Sequence, residues 1–229
     1  MSIEEPAISR QPSGAQPPAV ARQRVRITFS RGENTRYVGH LDMVRTWERI
    51  LRRADLPIAY SEGFNPRPRM TFAAALPVGC TSEHEVLDVV LSHPCDLVDV
   101  RAWLEQAVPA GIQVVDVAGV PYSSPALQTL TRATEFIATI GPDVSIDQAQ
   151  ARVRSMLDAP SIERTRRDKT YDLRPLILDL WVEPVEDGAC VGMRLKAEES
   201  GTGRPDEVIA ALGWDPTTVK IHRRRILFS

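Results

Sequence analysis

Gly63-Phe64-Asn65-Pro66-Arg67-Pro68-Arg69 sets two guanidiniums and one aromatic ring on a short, stiff stretch of chain. Pro66 and Pro68 fix their own φ and push the residues before them toward extended geometry. Gly63 can adopt a backbone angle that other residues resist. Such a segment presents Phe64, Arg67 and Arg69 with little ordering entropy left to lose, as suits an anion clamp. It equally suits a rigid connection between strands in which Phe64 caps the core. His40 opens an amphipathic stretch after a polar loop, where an imidazole could act as acid or base near phosphate, or simply cap and pack. Asp172 and Arg174, in Tyr-Asp-Leu-Arg-Pro, could form an ion pair or a polar contact between two parts of the chain.

Metal and nucleotide-triphosphate chemistry find less support. Cys80, His84, His93 and Cys95 are ligand types suited to zinc, but their spacing matches no compact knuckle. His84 and His93 flank a predicted strand, about 20 Å or more apart at roughly 3.3 Å of rise per residue. The expectation is no metal and no cofactor. No Gly-rich phosphate loop precedes a helix, and no Gly-x-Ser-x-Gly elbow occurs.

The net charge of −2 gives no global attraction to polyanions, so any such attraction must be local. It is strongly polarised: residues 22–69 hold 11 Arg against 5 acidic residues, whereas residues 70–118 hold 7 acidic residues and 1 Arg. Further basic clusters are Arg164, Arg166, Arg167 with Lys169, and Lys220 with Arg223, Arg224 and Arg225. The candidate anion surface therefore comprises Arg45, Arg49, Arg52, Phe64, Arg67, Arg69, Arg166, Arg167, Arg223 and Arg224. Gly63, Asn65, Pro66, Pro68, Asp172 and Arg174 frame it. Only Tyr37, Tyr60, Phe64 and Tyr171 are aromatics near these cations, so stacking on bases has few platforms.

The elements that must position these residues follow from periodicity. Val25, Ile27 and Phe29 alternate with polar residues as in a half-buried strand. Leu41, Val44, Trp47, Ile50, Leu51 and Ala54 form one stripe of a helix. Strands are predicted over 57–61, 70–76 and 85–91, then a helix near 96–108 and a strand over 112–117. The second part repeats the order: strand 135–140, helix 146–157, strands 170–182 and 189–196, helix 205–212, strand 219–228. Twice β-α-β-β-α-β predicts an α+β fold of tandem ferredoxin-like halves with antiparallel sheets, at 23–120 and 134–229. A Pro/Ser-rich linker over 121–133 joins them. Residues 1–22 read as a disordered leader, without a secretory signal. No stretch is apolar enough for a membrane span, and three cysteines suggest a reducing, cytoplasmic setting.

The block from His40 to Leu91, with Lys169 to Ile177, resembles the uncharacterised radical-SAM-linked proteins, and the resemblance extends over roughly 24–228. That family occurs alone or as a C-terminal domain on cobalamin-binding radical SAM proteins. The resemblance implies a partner enzyme, often in an RNA-modification or RNA-processing setting. The family often has His at the position of Arg67, so a role requiring a titrating imidazole there is not retained, while a positive anchor is. The chain itself lacks Cys-x₃-Cys-x₂-Cys, so it is not the radical enzyme. Three readings stay open: a non-catalytic module binding structured RNA or tRNA, an RNA-processing enzyme using His40, and a protein–protein adaptor.

Overall fold

A computed structural model describes residues 22–185 and 188–229; the expected leader, apart from Arg22, lies outside them. The chain forms β1 (Gln23–Arg31), α1 (His40–Arg53), β2 (Met70–Phe72), β3 (Cys80–Leu91), α2 (Leu97–Ala107) and β4 (Ile112–Val120). It continues through α3 (Leu127–Leu130), β5 (Thr131–Ile140), α4 (Ile146–Asp158), β6 (Glu163–Arg166) and β7 (Lys169–Asp172). β8 (Ile177–Val185), β9 (Gly188–Glu198), β10 (Gly201–Thr202), α5 (Pro205–Ala211) and β11 (Lys220–Phe228) complete it.

Among the described residues, nine strands form one mostly antiparallel sheet with the path β10-β9-β5-β11-β3-β1-β4, β2 adding to β3 and β8 to β9. The tandem pattern predicts separate sheets; a short parallel pairing joins them. Ile221, His222 and Arg223 of β11 lie beside Cys80, Thr81 and Ser82 of β3. The twelve-residue β3 is long enough to accept β2 at residues 87–89 and β11 at residues 80–82 along the same edge.

Two apolar clusters flank this seam. Val25, Ile27 and Phe29 pack under Met43, Trp47, Ile50 and Leu51 of α1 and Val100 and Leu104 of α2. Trp47 is fully buried edge-on to Phe29, with ring centroids 4.7 Å apart; truncating such a side chain costs about 3–5 kcal/mol. The second cluster gathers Phe136, Ala138 and Ile140 of β5 with Val153 and Met156 of α4 and Val208 and Ile209 of α5. Leu76 and Cys80 are buried in this second cluster although they precede it far back in sequence. A capping box fixes the start of α4, Ser145 Oγ accepting from Gln148 N and Gln148 Oε1 from Ser145 N.

Several sequence expectations change. Leu41, in the first turn of α1, is 71% exposed although it falls on the stripe expected to be buried. Residues 57–61 make isolated bridges, Ile58 to Leu91 and Tyr60 to Pro68, where a strand was expected. The strand expected over 170–182 is split by a short 3-10 turn at Arg174–Leu176, where Pro175 removes a donor. Its first part pairs with β6 as a separate two-stranded hairpin. The linker expected over 121–133 is partly ordered into α3 and the start of β5. Arg24 pins its first half, donating to the carbonyls of Ser124 and Pro125 at 2.6 and 2.9 Å.

A candidate anion surface and the cleft beside it

The opening loop is a narrow hairpin-like arm. Ser61 N donates to Arg67 O at 2.8 Å, Arg67 N to Ser61 Oγ at 3.0 Å, and Arg69 N to Ala59 O at 2.8 Å. Ala59 N and Arg69 O both bond Val90, which anchors the arm to β3. At its tip Gly63 has φ +121°, a conformation that L side chains rarely adopt. Phe64 is 106% exposed, so it does not cap the core.

The arm and α1 border one groove of about 690 Å³, lined among others by Leu41, Arg45, Arg52, Tyr60 and Arg67. The structure thus brings together Arg45, Arg52 and Arg67. Arg49 is exposed on the same helix but does not line the groove. Arg69 faces the other way: its guanidinium donates to the Tyr122 hydroxyl at 3.3 Å, in a neighbouring groove that Arg67 also lines. Hydrogen bonds from Arg22, and the nearby Arg69, hold the Tyr122 hydroxyl below its usual pKa. Arg45 is tied to Asp42 at 3.0 Å, an exposed pair worth little in water.

The last strand does not join this surface. Arg223 is 1% exposed and bonds Glu85 at 2.8 Å, the carbonyl of Ala75 at 2.7 Å and, through its cation face, the Phe136 ring at 5.1 Å. Arg224 is held bidentately by Glu183 at 2.8 Å for both bonds. Arg225 bonds Glu135, which also holds Arg194. The expectation that Arg223 and Arg224 offer free positive charge is corrected: strand alternation turns Arg223 inward and acidic partners neutralise its neighbours. Asp172 and Arg174 likewise do not pair side chain to side chain. Asp172 accepts from the backbone N–H of Ile162 and Arg174, which keeps its carboxyl below the usual range. Arg174 donates to the carbonyls of Leu157 and Ile177. Both contacts stay within the C-terminal part.

A second feature has no counterpart in the sequence expectations. A cleft of about 520 Å³ is lined by His40 from α1, Arg166 from β6 and Arg204 before α5. Ala73 to Leu76 and Phe136 supply apolar surface, and Glu198 and Glu199 also line it. His40 stands edge-on to Phe72 at 5.4 Å. Burial lowers its pKa below the ordinary imidazole value, opposed by Glu85 and aided by Arg31. Arg223, which also lines the cleft, pairs with the buried Glu85 at 2.8 Å, and the charge of the buried Arg31 is attracted to the same carboxylate without bonding it. Arg31 donates to the carbonyls of Thr35 and Val38, both at 2.8 Å, while Nε of Arg31 and of Arg223 find no hydrogen-bond partner among the described residues. The parity of Arg223 with Ile221 was the one sequence signal for this arrangement; nothing marked Glu85 as its mate.

Arg167 lies at the tip of the β6–β7 hairpin, exposed, with φ +46°. Among the described residues no three of His, Cys, Asp and Glu come together as a metal site. Cys80 and Cys190 are buried, and burial lifts the Cys80 thiol to about 11, so it is a packing residue rather than a nucleophile. No described helix is long and apolar enough to cross a membrane.

No curated protein matches the sequence. Among solved structures, a chain from "Crystal Structure of a Cbf5-Nop10-Gar1 Complex" superposes with a TM-score of 0.46 and 11% identity, over 89% of this chain and 48% of that one. The present chain therefore spans about half the length of that neighbour, and likeness at this level carries no functional argument. The family model described as "Uncharacterized protein conserved in bacteria (DUF2344)" matches residues 24–205, from β1 to the start of α5. That span holds the opening arm, α1 and most of the cleft, and the chain belongs to this conserved bacterial family.

Proposed function

We propose that the protein is a cytoplasmic recognition module for structured RNA, tRNA among the candidates, acting beside a radical SAM enzyme. The observation that carries the reading is the groove between α1 and the opening arm. It sets the guanidiniums of Arg45, Arg52 and Arg67 beside Tyr60, with Phe64 projecting at the tip. Cations lining one groove suit the phosphates along one edge of a folded RNA, and a ring free of packing suits stacking on an exposed base. Two ferredoxin-like halves, 23–120 and 134–229, form the framework of the proposal. Its support is the equivalent strand order β4-β1-β3-β2 and β11-β5-β9-β8.

Fluorescence anisotropy with a labelled tRNA, run across a salt series, tests the reading. Arg52→Ala with Arg67→Ala should weaken binding and flatten the salt slope by about one unit for each phosphate no longer neutralised. Thermal stability should stay within about 0.5 kcal/mol per site, because both side chains are exposed. Equal affinity and slope in the double variant would reject the groove as the RNA surface. A parent that ignores RNA at low salt but captures a protein partner would favour the adaptor reading. A catalytic reading, with His40 as general acid or base, draws on one observation: His40 lines the same cleft as Arg166. Turnover of RNA that His40→Gln abolishes, with binding retained, would establish it.

A further inference from the structure

The β6–β7 hairpin is built against its own local preferences. Its connecting residues, Arg167 and Asp168, both have positive φ, +46° and +63°. Tight hairpin turns of that kind favour Asn-Gly or Asp-Gly, and an arginine at such an angle is uncommon. The pair that closes the turn is Arg166 opposite Lys169. Residues directly opposite one another share a face of the ribbon, and like charges there destabilise it. Nearby on the same strand, Arg164 faces Tyr171 across the ribbon and bonds Glu207 at 2.9 Å, so it carries no such repulsion. Strain and repulsion of this kind persist where a site needs them.

The place of the hairpin indicates the use. Arg166 reaches into the cleft that His40 faces, while Arg167 and Lys169 are exposed outside it. A small lone anion could engage Arg166 but would leave the other two cations unused. A chain of phosphates engages all three. The cleft beside them is lined by apolar Ala73, Ala74 and Phe136 and by Glu198 and Glu199. Carboxylates repel phosphate but accept hydrogen bonds from amino groups on base edges. The site thus offers both partners: cations at the hairpin for phosphate, and carboxylates in the cleft for the edge of a base. Its volume of about 520 Å³ is within the usual range for a small-molecule pocket, roughly 300–1,000 Å³.

We propose that the β6–β7 hairpin grips the backbone of a single-stranded nucleic acid and that the cleft takes one unstacked nucleotide whose base carries an amino group. This goes beyond the groove reading and stands on a different surface. The probe is labelled hexacytidylate, with hexauridylate and poly-glutamate as comparators. The parent should bind hexacytidylate in preference to both. Arg166→Ala with Lys169→Ala should weaken it roughly tenfold and flatten the salt slope by about 1.4 units, the value for two single-strand phosphates. Relief of the repulsion should leave the melting temperature at or above the parent's, which a merely structural role would not do.

Unchanged affinity and slope in the double variant overturn the proposal, as does equal binding of poly-glutamate. Should the double variant melt lower, Lys169→Gln alone decides: an unchanged slope overturns, a slope flatter by about 0.7 supports. Loss of hexacytidylate binding here, with Arg52→Ala and Arg67→Ala leaving tRNA binding intact, keeps this site and removes the groove reading. The reverse pattern removes this site and keeps the groove.

Discussion

Replacing Arg223 by Met tests the seam that makes one sheet out of two sets of strands. Met matches the length of the apolar stem and offers no charge. The change strips Glu85, itself 2% exposed, of its guanidinium and frees the carbonyl of Ala75. Removing one member of a buried ion pair costs about 3–5 kcal/mol, since the remaining charge stays desolvated. Arg31 moderates the loss, because its charge also attracts Glu85. The lower end, about 3 kcal/mol, is therefore expected. For a chain of this size that corresponds to a melting temperature lower by roughly 6–12 °C. Urea denaturation of Arg223→Met, Glu85→Gln and the double variant measures it. The double variant should recover part of the single-variant loss, since neither charge is left alone. A single variant within about 1 kcal/mol of the parent, or strict additivity, would refute the pairing as the clamp of the seam.

Phe64→Ala should leave stability within about 0.5 kcal/mol, because the ring is fully exposed, yet should cost about 1–3 kcal/mol in RNA binding if the ring stacks on a base. Paired denaturation and anisotropy separate the two effects. Gly192→Ala should destabilise by about 1–3 kcal/mol, read by urea denaturation. A Cβ there would fall inside the Trp181 indole, whose Nε1 donates to the Glu183 that holds Arg224. His40, His84 and His222 all have pKa values lowered by burial below the ordinary 6.5. The unfolded chain then takes up protons first, so their contribution is complete above about pH 6.5 and is lost as pH falls through the folded values. Urea midpoints at pH 7.5 and 5.5 should show that fall, and His84→Gln should reduce it. His84 Nδ1 accepts from Ile226 N, which only the unprotonated nitrogen can do.

Local pattern was enough to place most of the elements and one special turn. Alternation at Val25, Ile27 and Phe29 and the stripe through Trp47 and Ile50 marked β1 and α1, because burial on one side of a sheet imposes those periods. The stiffness of the opening arm was legible from Pro66 and Pro68, and the need for Gly63 from its freedom in φ. What no local pattern could settle was which charges meet. Arg45, Arg52 and Arg67 keep to the surface, while Arg223, in an equally basic stretch, is drawn into the interior by Glu85, 138 residues away. Nor could it show that Arg166 and His40, from separate parts of the chain, would face one cleft. Both outcomes depend on the parallel pairing of β11 with β3, three residues long. Pairing between strands so distant in sequence is chosen by the packing of the whole chain, and an arginine carries no mark of whether water or a buried carboxylate will be its partner.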